Sequence, residues 1–221
     1  MVHIPLIGKK APELQISMWL QGNASNLEHE LGRVVLIEVF QVNCPGCFLY
    51  SLPQAIDLHQ RYSDKGLTVL GIATAFEDFE LNTLDNLKLL LEQHIVVGET
   101  NRILTENNRL IDGRLPYHIP FAVAMDKINT LASVVSEDQV SRLIRQYVPD
   151  FIQRKEAEKI QIKSNAINYL NTQLYSAESF KLYQLQGTPS HIIIDKKGIL
   201  KACEFGHFTD IEWLITNLLT E

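Results

Sequence analysis

The stretch 33–53, RVVLIEVFQVNCPGCFLYSLP, decides how this chain is read. Val34 to Phe40 is a near-continuous apolar run, the pattern of a strand buried on both faces. It gives way to Asn43 and then to Cys44, Pro45, Gly46 and Cys47. A helix is expected from there. Asn43 or Cys44 can cap it, Pro45 suits a first-turn position where no amide is needed, and Phe48, Leu49, Leu52, Ile56 and His59 recur at helical spacing. Cys44 is thus set at a helix N-terminus, where unpaired amides and the helix dipole stabilise a thiolate. A dithiol with two residues between its cysteines closes with little backbone movement. These residue types in this order point to thiol–disulfide exchange.

Gly66 stops the cysteine helix, and 67–73 is a second apolar, strand-like run. Strand, helix, strand at this spacing implies a right-handed parallel crossover, with the cysteines at the carboxyl end of the sheet, where open α/β sheets hold their sites. Upstream, 14–20 reads as a short strand ended by Gly22 and Asn23. Downstream, Leu84, Leu87, Leu90 and Leu91 mark an amphipathic helix over 83–94. A short strand at 95–97, a polar helix over 100–110 and a further strand at 120–125 follow.

Between 136 and 185 the composition turns helical. Val140, Leu143, Ile144 and Tyr147 form one apolar stripe, Pro149 breaks it, and Ile160, Ile167, Leu170 and Leu174 form another. We expect a helical insertion within a single 1–221 domain, its RKEAEK run a solvated helix face. The tail from 186 to 206, QGTPSHIIIDKKGILKACEFG, reads as a strand at 190–194, a tight turn and a return strand at 199–205. That pairing sets Ser190 roughly opposite Cys203. An amphipathic helix at 209–219 closes the chain.

With 221 residues, 46% of them hydrophobic and 21% charged, the chain is long enough to bury a sizeable core. A formal net charge of -6 with scattered basic residues excludes a general nucleic-acid partner. Three cysteines do not make a disulfide-stapled scaffold. Pro5, Lys9, Lys10, Pro12 and Glu13 interrupt the opening, and no 18-residue apolar run spans a bilayer. The expectation is a cytoplasmic protein with no membrane span, although a periplasmic chain whose leader had been cleaved would read the same.

The strand-to-helix CPGC of Cys44 to Cys47, the Gly187-Thr188-Pro189 before a β-hairpin, Gly206 and the final helix together resemble the thioredoxin superfamily. Within it the likeness is to the TlpA-like/redoxin branch, related to AhpC/TSA proteins, over most of the chain outside the insertion. The resemblance implies an α/β thioredoxin-like fold, a central mixed sheet flanked by helices, with the insertion before the cis-proline strand. It implies that Pro189 is the cis-proline beside the site and that main-chain groups of Thr188 bind an incoming substrate strand, with Asn43, Pro45 and Gly46 completing the substrate-binding edge. It also implies a buried acid at Glu38, six residues before Cys44, accepting the proton of Cys47. Strand alternation permits this, since Glu38, Phe40 and Val42 share a face. The plainer reading of Glu38 is a paired carboxylate, yet an acid inside VVLIEVF needs a reason. Four departures stand out: Asn43 replaces the usual tryptophan, Pro-Gly reverses the usual Gly-Pro order, Pro53 comes one residue later than the usual helix proline, and the insertion is large.

The mechanism so implied is a two-step exchange with Cys44 as nucleophile and Cys47 as resolving thiol, no bound cofactor, a protein or small-molecule disulfide or thiol as substrate, and an upstream electron donor. A peroxiredoxin-like peroxidase is the alternative enzyme. It is disfavoured because Gln41 and Ile37 stand where that chemistry places Thr or Ser and Pro. A zinc clip using Cys44, Cys47, Cys203 and His207 is the alternative from another class, and leaves Gly-Thr-Pro without a role. A non-catalytic binding module on the same fold is the third. His94, His118 and His191 have no partner spacing and read as structural, and Cys203 alone reads as a small buried apolar residue.

Overall fold

A computed structural model describes residues 6–130, 135–172 and 175–221. In chain order the elements are β1 (Ile16–Gln21), β2 (Val34–Phe40), α1 (Leu52–Tyr62), β3 (Leu67–Ala73), α2 (Leu84–Gln93), α3 (Gly98–Glu106), β4 (Ala122–Asp126) and β5 (Ile128–Thr130). Then come α4 (Glu137–Tyr147), α5 (Glu156–Thr172), β6 (Tyr175–Ala177), α6 (Glu178–Leu182), β7 (Ser190–Ile194), β8 (Leu200–Phe205) and α7 (Ile211–Thr220). They fall into two compact units, Met1–Ile128 with Ala177–Glu221, and Asn129–Ser176.

The first unit is built on a six-stranded sheet of order β1-β4-β3-β2-β7-β8. β2 runs parallel to β3, and β3 to β4, while β7 and β8 pair antiparallel, so the sheet is mixed. Every residue of β2 is buried, because layers cover both faces. Val34, Leu36 and Phe40 point into one layer with Cys44, Cys47 and Phe48, under α1, α2, α3 and α7. Val35, Ile37 and Val39 point into the other with Ile192, Ile194, Leu200 and Tyr183. Each such fully buried apolar side chain contributes about 1.5–3 kcal/mol over its exposed state. The unbroken apolar run that marked this strand in the sequence is the direct result of two-sided burial.

Two expectations about strands change. Residues 95–97 form no strand; they lead from the left-handed His94 into α3. In the β7–β8 hairpin, Ser190 pairs with Phe205 and Cys203 with Ile192, two residues away from the expected register. The cause is the turn. Asp195 Oδ1 accepts from the amides of Lys197 and Ile199, making a wider loop, and the register shifts again between Ile193 and Ile194.

The second unit pairs α4 with α5 around Val140, Ile144 and Ala166. Ser136 caps α4 in a reciprocal capping box with Gln139. A groove of about 420 Å³ is lined by Leu143, Tyr147, Ile162 and Tyr169 among others. The inward face of α5 is Ile162, Ala166 and Leu170, at four-residue spacing, whereas Ile160 and Ile167 are exposed; the expected stripe was turned because the small Ala166 was not counted in it. Leu174 lies outside the described residues. The stretch 177–185, expected in the insertion, belongs to the first unit. Among the described residues no helix is long and apolar enough to cross a membrane.

Candidate active site

Beyond β2 the chain is fixed by one residue. Asn43 is buried; its amide N–H donates to Asn82 Oδ1 at 2.8 Å and its Nδ2 donates to Asp78 Oδ2 at 2.8 Å. Its Oδ1 accepts from the amides of Glu99 at 2.7 Å and Thr100 at 3.3 Å. Those are first-turn amides of α3, whose own N-cap, Val97, offers no side-chain acceptor, so Asn43 caps a helix far along the chain. Gly98 makes room: its φ is +55°, and a Cβ there would stand 2.6 Å from Asn43 Oδ1. Asn43, expected on the substrate-binding edge, faces inward instead, because its polar atoms are engaged.

Helical backbone begins at Pro45, and Cys47–Ser51 forms a π-turn before α1. The Leu52 amide therefore reaches back to the Cys47 carbonyl, five residues away. A π-turn holds one more residue than an α-turn, which accounts for Pro53 coming one residue late. Pro53 has no N–H to give, and the Phe48 carbonyl takes the Tyr117 hydroxyl at 3.0 Å. Burial raises the pKa of Tyr117, so that hydroxyl stays a donor.

Cys44 and Cys47 form a disulfide with their Cα atoms 5.4 Å apart. Cys44 retains slight exposure, at 9%, while Cys47 is wholly buried. The Cys47 amide points at Cys44 Sγ, 3.3 Å away, the helix-start donor that a thiolate would use. On the other side, Cys44 Sγ lies 3.6 Å from the Thr188 carbonyl oxygen. The Thr188–Pro189 peptide is cis. Its loop is braced by the Gly206 amide on the Pro189 carbonyl at 2.9 Å, Ser190 Oγ on the Gly187 carbonyl at 2.8 Å, and the Thr188 hydroxyl on Gln41 Oε1 at 3.3 Å. Half-buried Pro45 and Gly46 stand at this junction, and a Cβ on Gly46 would sit 3.8 Å from Pro189 Cδ, an ordinary contact. The structure therefore brings Cys44, Gly46, Cys47, Thr188 and Pro189 together.

A solved thioredoxin-like superfamily protein is 26% identical, with 96% of this chain and 97% of that chain covered and a TM-score of 0.59. A thiol-disulfide isomerase from Corynebacterium glutamicum is 24% identical over 97% of each chain, with a TM-score of 0.58. A protein assigned as a thiol:disulfide interchange protein DsbE from Chlorobium tepidum is 17% identical, covers 96% of this chain and 97% of its own, and has a TM-score of 0.52. The chain has a thioredoxin-like fold. No protein-family model and no curated protein matches it.

Within this thioredoxin-like frame, Glu38 is fully buried and pairs across the sheet with His191, whose Nδ1 lies 2.7 Å from Glu38 Oε2. His191 Nε2 lies 2.9 Å from the Gly206 carbonyl oxygen. Burial works against the charged ring, but the adjacent Glu38 carboxylate and the Gly206 carbonyl outweigh it and raise the His191 pKa. This pairing departs from the expectation that His191 has no partner. A signal existed, since a histidine in SHIII and an acid in VVLIEVF are two polar residues inside apolar strands, and each needs a partner. Gln41 and Tyr117 carried no comparable sign.

Cys203 packs with the opposite sheet face, its Sγ 3.7 Å from the Tyr183 carbonyl oxygen. Burial, then Glu204, pushes its thiol pKa up to about 11. It is a poor nucleophile there, and the zinc clip, which needs it beside Cys44 and Cys47, is not assembled.

Proposed function

We propose that the protein is a thiol–disulfide oxidoreductase of the TlpA-like kind, with Cys44 as nucleophile and Cys47 as resolving thiol. The observation that carries this is the Cys44–Cys47 disulfide at a helix start, with the Thr188 carbonyl 3.6 Å from Cys44 Sγ. Cys44 is the sulfur with solvent access and a helix amide aimed at it. In the reduced protein its thiolate attacks a substrate disulfide, and one substrate sulfur leaves with the bonding pair. Cys47 then loses its proton and attacks Cys44 Sγ; the second substrate sulfur leaves as a thiolate and takes up a proton. Two electrons and the Cys47 proton have passed to the substrate, and the first substrate thiolate takes its proton from solvent. An upstream dithiol donor returns them by the same exchange run in reverse. Protein disulfides are the preferred substrates in this reading, since Thr188 and Pro189 form an open edge on which an extended segment can lie. Glu38 is the proton acceptor for Cys47.

The test is a redox titration in glutathione and dithiothreitol buffers, with free thiols trapped by alkylation and located by mass. One two-electron transition confined to Cys44 and Cys47 is expected, with Cys203 alkylated slowly in every buffer. If Cys44 and Cys47 never pair, or become reactive only after a chelator is added, the oxidoreductase reading is wrong.

A further inference from the structure

Glu38 and His191 form the one buried pair of opposite potential charge on the cysteine side of the sheet among the described ion pairs. Alternation along β2 sends Leu36, Glu38 and Phe40 to the same face, and Leu36 and Phe40 pack in one apolar layer with Cys44 and Cys47. Along β7, His191 shares that face with Ile193. Around His191 stand Glu38 from β2, the Gly206 carbonyl after β8 and the ring of Phe208 at 6.3 Å, with Glu204 its exposed cross-strand neighbour on β8. His191 therefore sets Nδ1 against Glu38 and Nε2 against the Gly206 carbonyl oxygen, and a charged ring suits both neighbours. A carboxylate with no solvent contact persists as a charge when such a cation meets it.

We propose that His191 is the positioning residue for Glu38: set against Glu38 at one nitrogen and donating to the Gly206 carbonyl at the other, it supplies the counter-charge beside the buried carboxylate so that Glu38 takes the proton Cys47 gives up. The proposal rests on the exchange reading above. In the resolving step the Cys47 S–H proton passes to Glu38, and the sulfur's electron pair forms the bond to Cys44. The substrate sulfur leaves with the pair of the broken bond and is reprotonated from Glu38 through solvent. His191 remains an imidazolium throughout. Without it, Glu38 lies in an apolar layer with no counter-charge, and the Cys47 proton loses its placed acceptor.

The experiment follows both steps with a symmetric aromatic disulfide whose thiolate is coloured. The first release reports attack by Cys44, and the second reports resolution by Cys47. In His191→Leu the first release should keep its wild-type rate and the second should slow roughly 100-fold, the low end for a positioned proton acceptor. Glu38→Gln should match it, and the double variant should be no slower than either single. A second release at the wild-type rate in His191→Leu, or a double variant in which the two losses multiply, overturns the proposal. A wild type that releases no coloured thiolate overturns the exchange reading itself, which is a separate outcome. Should His191→Leu fail to fold, the wild type still decides: ¹⁵N resonances of the His191 ring at pH 7 should show both nitrogens protonated, and a neutral ring overturns the assignment.

Discussion

His191 and Glu38 face each other with no water contact, so their charge state is linked to folding. Burial alone would lower the His191 pKa; Glu38 and the Gly206 carbonyl raise it above the ordinary 6.5 instead. A folded-state pKa above the unfolded one gives stability that is complete below pH 6.5 and is lost as pH rises through the folded value. The Glu38→Gln/His191→Leu variant carries neither group, so subtracting its stability from that of the wild type leaves the contribution of the pair. Urea unfolding from about pH 5.5 to about pH 9 should show that difference constant at the acid end and shrinking above 6.5. A difference that does not change with pH would mean that the pair holds no imidazolium. The same scale shows where sequence reading stops. The Cys44–Cys47 pairing and the cis peptide before Pro189 were legible because each is written in adjacent residues. Asn43 was not, because the amides it caps, those of Glu99 and Thr100, lie more than fifty residues downstream.

Among the elements, the strands were legible where burial is two-sided, as in β2 and β3, and the helices where one face is apolar, as in α2 and α7. Register and helix irregularity were not. The β7–β8 register depends on the Asp195 side chain reaching two amides of its own turn, and the π-turn at Cys47–Ser51 depends on where Pro53 meets the preceding carbonyls. That π-turn makes a prediction. Tyr117 supplies the donor that Phe48 receives on its carbonyl, and it comes from the loop before β4, so the hydroxyl ties the cysteine helix to a distant segment. Tyr117→Phe keeps the ring and removes only that bond, leaving a buried carbonyl without its donor. Stability should fall by about 1–2 kcal/mol with an unchanged urea m-value. An unchanged unfolding midpoint would show that the Phe48 carbonyl is served from elsewhere.

The whole chain divides at Asn129 and Ser176, and the bonds that close the first unit at that division lie within it. The Glu178 amide donates to the Lys127 carbonyl at 2.9 Å. Buried Asp126 accepts from Thr74 Oγ1 at 2.8 Å, from the Ser179 amide at 2.8 Å and from the Phe180 amide at 3.2 Å, capping α6 where the chain returns. Every group we have assigned to Cys44, Cys47, Glu38 and the Thr188–Pro189 loop also belongs to this unit. α4 and α5 were legible as helices from their composition, but the place of 177–185 was not, because it carries the same helical pattern while packing on the sheet. Replacing 129–176 with an Asn-Gly turn between Ile128 and Ala177 should thus give a chain that unfolds in one cooperative step. Its Cys44–Cys47 midpoint potential should equal that of the full chain, and it should reduce a small aromatic disulfide at the full chain's rate. Any change should be confined to protein substrates, where the missing surface counts. A trimmed chain that folds but shifts the midpoint would place part of the chemistry in the insertion, and one that cannot fold would make α4 and α5 part of the scaffold rather than an addition to it.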